Sequence, residues 1–369
     1  MNILIYSHPP FAGTGFGTVV NALANHLKKD HNVYIACVAA HYGLPIEHNG
    51  CVILTCPGPV AKTWKWAAKW AKDLSIDVII QHFDVWMLPA GWIENMPCPV
   101  ITYAPVDCNP LPDGFEASCI GATMNVAMTR YAQGLFDEAG MPSVYIPHGV
   151  DMDIFKRDEQ AREKLGIPAE TFVVGIVATN GSLRKNLGGQ MQAFASFAKG
   201  KDNVMLYMHT QAKKSHPEAL DLGYLATKFG IAEKVSFTDP ESMALGIPQE
   251  FLPTIYSAFD VMMQCSLGEG FGLPIIEAQA CGCPVIGTDH PVISEIIGDC
   301  GSCVETEKLF MNYYMSNIEV PITAEIFRQL NIYYGYTFEN IKQAARENVQ
   351  QYDWNRIFPL WDDLLSKLF

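Results

Sequence analysis

SLGEGFGLPIIEAQACGCPVIGTDHPVISEI, residues 266–296, decides how this chain is read. A short apolar run, Asp260–Gln264, precedes it, and Gly268, Gly270 and Gly272 open a loop with little side-chain cover. Pro274 suits the first turn of a helix, and Gly282 suits the position just past its end. Pro284–Gly287 is again a strand-length apolar run. Strand, glycine loop, helix and strand within about thirty residues make a crossover unit with parallel strands. Glu269 is expected on the loop and Glu277 in the first turn of the helix, both towards one edge of the sheet. A carboxylate near a helix start can be a simple capping charge. Two of them flanking a glycine loop are not something a fold requires.

The same alternation runs outward in both directions. Strand-like runs at Phe172–Ala178, Val204–Met208 and Val235–Phe237 alternate with helical patterns over 187–199, Pro217–Phe229 and Pro248–Ala258. In the first half, Ile3–Tyr6, Val33–Ala40, Val78–Ile80, Val100–Tyr103, Asn125–Met128 and Val144–Ile146 are the strands, with helices over Thr18–Lys29 and Tyr131–Ala139. Short apolar strands buried between helices are the mark of a parallel sheet covered on both faces. The expected fold class is therefore α/β, with two doubly wound parallel-sheet, Rossmann-like domains over 1–150 and 151–350. PHGVDMDIFKRDEQAREKLGIP, residues 147–168, is the expected joint. After Glu305 the chain reads as helical: a Tyr-rich stretch, then Phe338–Val349, then a closing helix from Trp354 within 351–369. In that last helix Ile357, Leu360, Trp361, Leu364, Leu365 and Leu368 share a stripe at helical spacing.

Composition narrows the classes of function. The 369 residues suffice for two cores, and with 49% hydrophobic and 17% charged residues the chain can offset its conformational entropy. Against 25 Lys plus Arg stand 39 Asp plus Glu, a net charge of −14. Such a field repels nucleic acid and anionic bilayers at long range. The 11 cysteines form no regular framework, which reads as a reducing compartment, and Cys300 with Cys303 reads as a pair of ordinary thiols. No apolar run approaches a membrane span, and Asn2–Ser7 begins as a strand without a signal peptide, so a cytoplasmic location is expected.

Two further segments carry chemistry. ATNGSLRKNLGG, residues 178–189, places Arg184 and Lys185 at the C-terminal edge of a strand, just before a helix start. Two cations with free helix amides suit a diphosphate. The first loop carries Gly13, Gly15 and Gly17, a G-x-G-x-G run where a dinucleotide fingerprint needs G-x-G-x-x-G. His41 stands where an acidic residue would hold an NAD ribose, so NAD is rejected. AKTWKWAAKWAKDL, residues 61–74, sets Lys62, Lys65, Lys69 and Lys72 on one helical face and Trp66, Trp70 and Leu74 on another. It reads as a surface helix with a Trp stripe towards the core, or as a point of peripheral membrane contact.

The segment Glu269–Pro274 with Glu277 resembles the E-x7-E signature of family-four (GT4-like) retaining glycosyltransferases of GT-B fold. The 178–189 segment resembles that family's donor-phosphate motif, and PHGVDMDIF at 147–155 resembles its interdomain segment. The resemblance implies two domains facing across a cleft, acceptor on the first and nucleotide-sugar donor on the second, with the final helix returning to the first. By the same resemblance Glu277 would accept hydrogen bonds from the donor ribose, and Glu269 would lie against the donor sugar. The amides of Gly270, Phe271, Gly272 and Leu273 would hold sugar and phosphate, while Lys185 and Arg184 would neutralise the diphosphate. Asn180, Gly15 and Gly17 complete the implied donor-binding set. No metal and no resident cofactor is implied; the nucleoside-diphosphate sugar is a co-substrate.

Two departures stand out. Many members carry Arg where this chain has Asn180, five residues before Lys185, so Arg184 supplies the missing cation or the site is less positive. Many also carry a His after the strand matching Ile101–Tyr103. Asp107 is the candidate contact there, with His8, His82 and His148 as substitutes. The expected activity is metal-independent, retaining transfer of a hexose-type sugar from a UDP- or GDP-sugar to a hydroxyl of a glycan, a lipid-linked sugar or a small molecule. Alternatives are an acceptor in hydroxymethylated DNA, a GT-B sugar-nucleotide epimerase, and a non-catalytic sugar-nucleotide-binding protein.

Overall fold

The computed structural model describes residues 1–38, 43–311, 315–335 and 339–369, so His41 lies outside the described residues. The chain divides into two compact units. One comprises Met1–His148, Phe310–Asn317 and Trp354–Phe369; the other comprises Gly149–Leu309 and Ile318–Asp353.

The first unit is built on eight strands: β1 (Asn2–Ser7), β2 (Asn32–Cys37), β3 (Ile46–His48), β4 (Cys51–Thr55), β5 (Val78–His82), β6 (Val100–Thr102), β7 (Met124–Ala127) and β8 (Ser143–Tyr145). Their order across the sheet is β3-β4-β2-β1-β5-β6-β7-β8, and every pairing is parallel except β3 with β4. Ile3 to Tyr6 are fully buried, as a central strand covered on both faces requires. The helix Val60–Asp73 packs on this sheet. Thr63, Ala67 and Ala71 face the core, while the half-buried Trp66 and Trp70 flank that strip and the four lysines are exposed. Small residues let the helix lie close to the sheet, and Trp66, Trp70 and Leu74 pack against the core along the edge of that strip, with Trp70 Nε1 donating to Thr55 O at 2.9 Å.

The helix Trp354–Leu368 also belongs to this unit. Trp354, Ile357, Trp361, Leu364 and Leu365 are its buried residues, and Trp361 meets the Tyr103 ring edge-on at 5.1 Å. Leu360, expected on the stripe, is 41% exposed. At 3.6 residues per turn it falls just off the margin of the buried face.

The second unit holds β9 (Phe172–Val177), β10 (Val204–His209), β11 (Val235–Phe237), β12 (Val261–Gln264), β13 (Val285–Thr288) and β14 (Ser302–Val304). All pair in parallel in the order β11-β10-β9-β12-β13-β14. The order reverses at the β9–β12 pair, where Val174 aligns with Val261 and Gly175 with Met262. Gly175 is required there, because a Cβ would sit 2.1 Å from the Phe259 ring. Chains leaving two strands at such a switch point turn to opposite faces of the sheet and open a crevice at its C-terminal edge. The loops leaving β9 and β12 are those carrying Arg184–Lys185 and the glycine run.

Two other expectations are corrected. The stretch after Glu305 is not helical at first: β15 (Thr306–Met311) and β16 (Ser316–Pro321) form a two-stranded sheet before the helices Thr323–Gly335 and Glu339–Asn348. Glu307 to Phe310 are all exposed, so no buried face imposes the two-residue alternation that announces a strand. The helix expected over Pro217–Phe229 is only Leu222–Lys228, because Asp221 caps it by accepting the Tyr224 amide at 2.8 Å. Cys300 donates its thiol to Ile297 O within the fold, and Cys300 and Cys303 are both free thiols. Among the described residues no helix is long and apolar enough to cross a membrane.

Candidate active site

Two loops of the second unit are stitched together before any side chain meets a ligand. The loop after β9 forms a short 3-10 turn, Leu183–Lys185, and Asn186 takes a left-handed backbone (φ +48°) to start the helix Leu187–Phe197. Asn186 Nδ2 donates to Cys265 O at 3.0 Å, and the Leu267 amide donates to Arg184 O at 2.8 Å. Gln190 accepts from the Cys265 amide at 3.2 Å and donates to Lys185 O at 2.9 Å. The Arg184 guanidinium donates to Gly268 O. These bonds hold both cations over the glycine loop.

Glu269 is where they converge. Lys185 Nζ lies 2.8 and 2.9 Å from its two oxygens, Arg184 Nη1 lies 3.0 Å from Oε2, and Gln264 Nε2 donates to Oε1 at 2.8 Å. The residue is 4% exposed. Burial alone would raise its pKa, but the charge of Lys185 and then Arg184 outweighs it and holds the carboxyl well below the usual range. The carboxylate therefore stays ionised at every physiological pH.

Glu277 lies in the helix Leu273–Ala280, in its second turn rather than the expected first, because Gly272 is the N-cap and Pro274 only the second helical residue. Gly272 has φ +92°, and a Cβ there would press within 2.9 Å of Ile275 Cδ1, so the turn into the helix requires glycine. Tyr256 Oη donates to Glu277 Oε2 at 2.5 Å. Burial pushes the Glu277 carboxyl up to about 7, against the pull of that hydrogen bond. The two glutamates thus differ in kind, one permanently charged and one titrating near neutrality. The Phe271 side chain is buried and meets the Tyr352 ring at 5.7 Å. Leu273 and Gly270 are half-buried.

The Asn180 side chain is engaged by main-chain groups of the neighbouring loop. Its Nδ2 donates to Gln211 O (2.8 Å) and Leu220 O (2.7 Å), while its Oδ1 accepts the Leu220 amide at 2.9 Å. The side chain ties the loop after β10 to the loop after β9. It does so beside a recess lined by Ser182, Asn186 and Glu218.

In the first unit the structure gathers three histidines at one edge of the sheet. The Phe16 ring lies 5.1 Å from His8 and 5.2 Å from His82, and His148 meets the His82 ring edge-on at 5.3 Å. His82 Nδ1 pairs with Tyr103 O at 2.8 Å, and burial pushes its pKa down to about 4. Burial also lowers His8 and His148. His82 and His148 are buried, whereas His8 is half-buried with its Nδ1 3.4 Å from Thr14 Oγ1. Gly17 serves its own loop, since a Cβ would meet Ala12 O at 2.4 Å. Its amide donates to the N-cap Thr14 Oγ1 at 3.1 Å, next to the exposed Gly15. Asp107 is half-buried in the loop after β6. Among the described residues no group of His, Cys, Asp and Glu side chains is arranged to hold a metal ion.

Sequence reasoning missed Tyr256 and Gln264, which fix the two glutamates. Gln264 ends the strand feeding the glycine loop, a position that could have marked it. Tyr256 lies 21 residues before Glu277 and carries no local signal.

Residues 157–308 match the family model described as glycosyl transferases group 1. Over 155 residues the chain is 34% identical to the D-inositol 3-phosphate glycosyltransferase of Corynebacterium jeikeium (strain K411), covering 39% of this chain and 34% of that protein. Over 55 residues it is 44% identical to the O-antigen chain mannosyltransferase B of Escherichia coli, covering 15% and 14%. The matched part thus spans 34% and 14% of the length of these relatives. Among solved structures, sucrose-phosphate synthase from Thermosynechococcus elongatus superposes with TM-score 0.80 at 17% identity, covering 100% of this chain and 99% of that one. Anabaena HepE in complex with UDP-glucose gives TM-score 0.72 at 17% identity, with both chains fully covered. At such identities the likeness establishes the fold, which is GT-B.

Proposed function

We propose that this chain, whose residues 157–308 belong to the group 1 glycosyltransferases, transfers a hexose-type sugar from a nucleoside-diphosphate sugar to an acceptor hydroxyl with retention at the anomeric carbon. The observation that carries this reading is the convergence of Lys185 and Arg184 on Glu269, at the mouth of the glycine loop that starts Glu277's helix. A diphosphate arriving at the glycine loop would meet both cations. Glu277 would accept hydrogen bonds from the ribose, and the loop amides from Gly270 to Leu273 would meet sugar and phosphate oxygens.

The chemistry follows from the charges. As the bond from the anomeric carbon to phosphate oxygen breaks, negative charge grows on the departing diphosphate and Lys185 with Arg184 stabilises it. Positive charge grows at the anomeric carbon, and the ionised Glu269 stabilises that. The acceptor oxygen forms its bond on the face the diphosphate leaves, and its proton passes to a departing phosphate oxygen. Metal independence belongs to the proposal, because the two cations take the part a divalent ion would otherwise play. Acceptor recognition is assigned to the first unit, with Asp107 as its candidate contact. The relative named an inositol-phosphate glycosyltransferase makes small polyol phosphates worth including among acceptors.

The test is a thermal-shift screen against UDP-, GDP- and ADP-sugars with and without EDTA, followed by transfer assays with the donor that stabilises. A ligand at a hundred times its dissociation constant adds about 2.7 kcal/mol. Stabilisation by none of them, at concentrations up to millimolar, overturns the reading. Donor consumption without an acceptor would indicate epimerisation, and binding without turnover a non-catalytic protein. Transfer to hydroxymethylated DNA stands against the −14 charge and would show as steeply salt-dependent duplex binding.

A further inference from the structure

Glu277 is a two-oxygen acceptor with only one oxygen engaged by the protein. Oε2 takes the Tyr256 hydroxyl at 2.5 Å, while Oε1 has no hydrogen-bond partner among the described residues and keeps some contact with solvent. The donor of that bond is itself closely packed. Tyr256 is completely buried, and its ring packs against Phe155 (6.2 Å) and Phe259 (6.3 Å).

Its short helix, Leu252–Ser257, is pinned on both sides of it. Thr254 Oγ1 donates to Asp158 Oδ2 at 2.6 Å, and Ser257 Oγ accepts the Asp158 amide at 2.9 Å. Arg162 then bonds Ala258 O at 3.2 Å and Asp260 Oδ2 at 2.6 Å. A side chain held this way keeps its hydroxyl aimed at Glu277 Oε2.

We propose that Tyr256 is a positioning residue for nucleotide recognition: it fixes one oxygen of Glu277 so that the other faces outward to accept from the vicinal hydroxyls of a ribose. The proposal rests on the donor-binding reading of Glu277 given above. Two features of the chemistry support it. A carboxylate shared between a buried phenol and a diol has its rotation about the last side-chain bond set in advance, so less entropy is lost when the diol binds. A phenol also strengthens the ionised form of a desolvated acid, the form able to accept from both hydroxyls. Burial raises the Tyr256 hydroxyl's own pKa well above its ordinary value, so it remains a donor.

The experiment compares UDP, GDP and ADP with their 2′,3′-dideoxy counterparts by calorimetry, on the wild-type chain and on Tyr256→Phe. The wild type should bind at least one ribonucleotide and prefer it to its dideoxy form. Tyr256→Phe should weaken that ribonucleotide by about ten- to a hundredfold while leaving the dideoxy form within a factor of about two. Equal loss on both forms, or loss on neither, overturns the proposal and leaves the donor reading standing. Failure of the wild type to bind any of the three overturns the donor reading and this inference together.

Should Tyr256→Phe not fold, proton NMR of the wild type decides. A slowly exchanging hydroxyl proton far downfield, moved by the ribonucleotide and not by the dideoxy form, supports the proposal. A proton equally indifferent to both overturns it.

Discussion

Lys185 Nζ lies within 2.9 Å of both carboxylate oxygens of Glu269, so a cation from the loop after β9 and an anion from the loop after β12 form one buried unit. Neither strand neighbours the other in sequence. Their adjacency at the switch point of the sheet brings the charges together, and the pair is cheaper to keep buried than either charge alone.

Replacing Lys185 by Ala removes a charge-assisted contact worth about 2–3 kcal/mol where charge develops on the leaving group. Turnover should fall by roughly a hundredfold. Steady-state kinetics with the donor found by thermal shift check it, and wild-type turnover would refute the assignment.

Glu269 contributes to stability in a definite pH window. Its folded pKa lies below the unfolded value of 4.5, so its contribution is complete above that value and is lost as pH falls through the acid range. Glu269→Gln should therefore lower the unfolding temperature at pH 7, by a gap that narrows as pH is lowered from 5 towards 3. A constant difference across that range would show the ion pair to be unimportant.

Glu277 acts in the opposite sense. Its folded pKa of about 7 lies above 4.5, so the unfolded chain ionises first and the folded state loses ground as pH rises between those values. Glu277→Gln should stabilise the protein at pH 8 by about 1–3 kcal/mol and change little at pH 4.5. The same substitution should weaken nucleotide binding about tenfold or more. Denaturant melts at the two pH values, with calorimetry, test both halves.

Asn180→Ala should cost about 1–3 kcal/mol of stability, because the main-chain groups of Gln211 and Leu220 lose their partner. In the folded variant donor affinity should change less than about threefold. A selective loss of affinity at unchanged stability would assign Asn180 a direct contact with the donor.

Acid should weaken the first unit through His82. Its folded pKa of about 4 lies below the ordinary 6.5, so stability is full above 6.5 and falls as pH drops towards 4. His82→Gln should flatten that slope, measured as unfolding temperature between pH 7.5 and 5. An unchanged slope would place the acid sensitivity elsewhere.

The α/β class was legible in the sequence because a parallel strand covered on both faces must be an unbroken apolar run, as in Ile3–Tyr6 and Phe172–Val177. The glycine loop, Pro274 and Gly282 were equally legible, since each answers to local backbone geometry. Strand β15 was not, because its exposed residues bury no face whose period could be read. The turn of the helix that holds Glu277 also escaped, shifted by where Gly272 ends the loop.

The sequence by itself determined the two series of crossover units and the residue types that could bind a sugar diphosphate. Only the tertiary structure decided which charge meets which: Lys185 and Arg184 on Glu269, Tyr256 on Glu277, and Asn180 on the backbone. Spacing along a chain fixes what lies within a turn or two, whereas these contacts depend on strand order, which is settled by packing of the whole sheet.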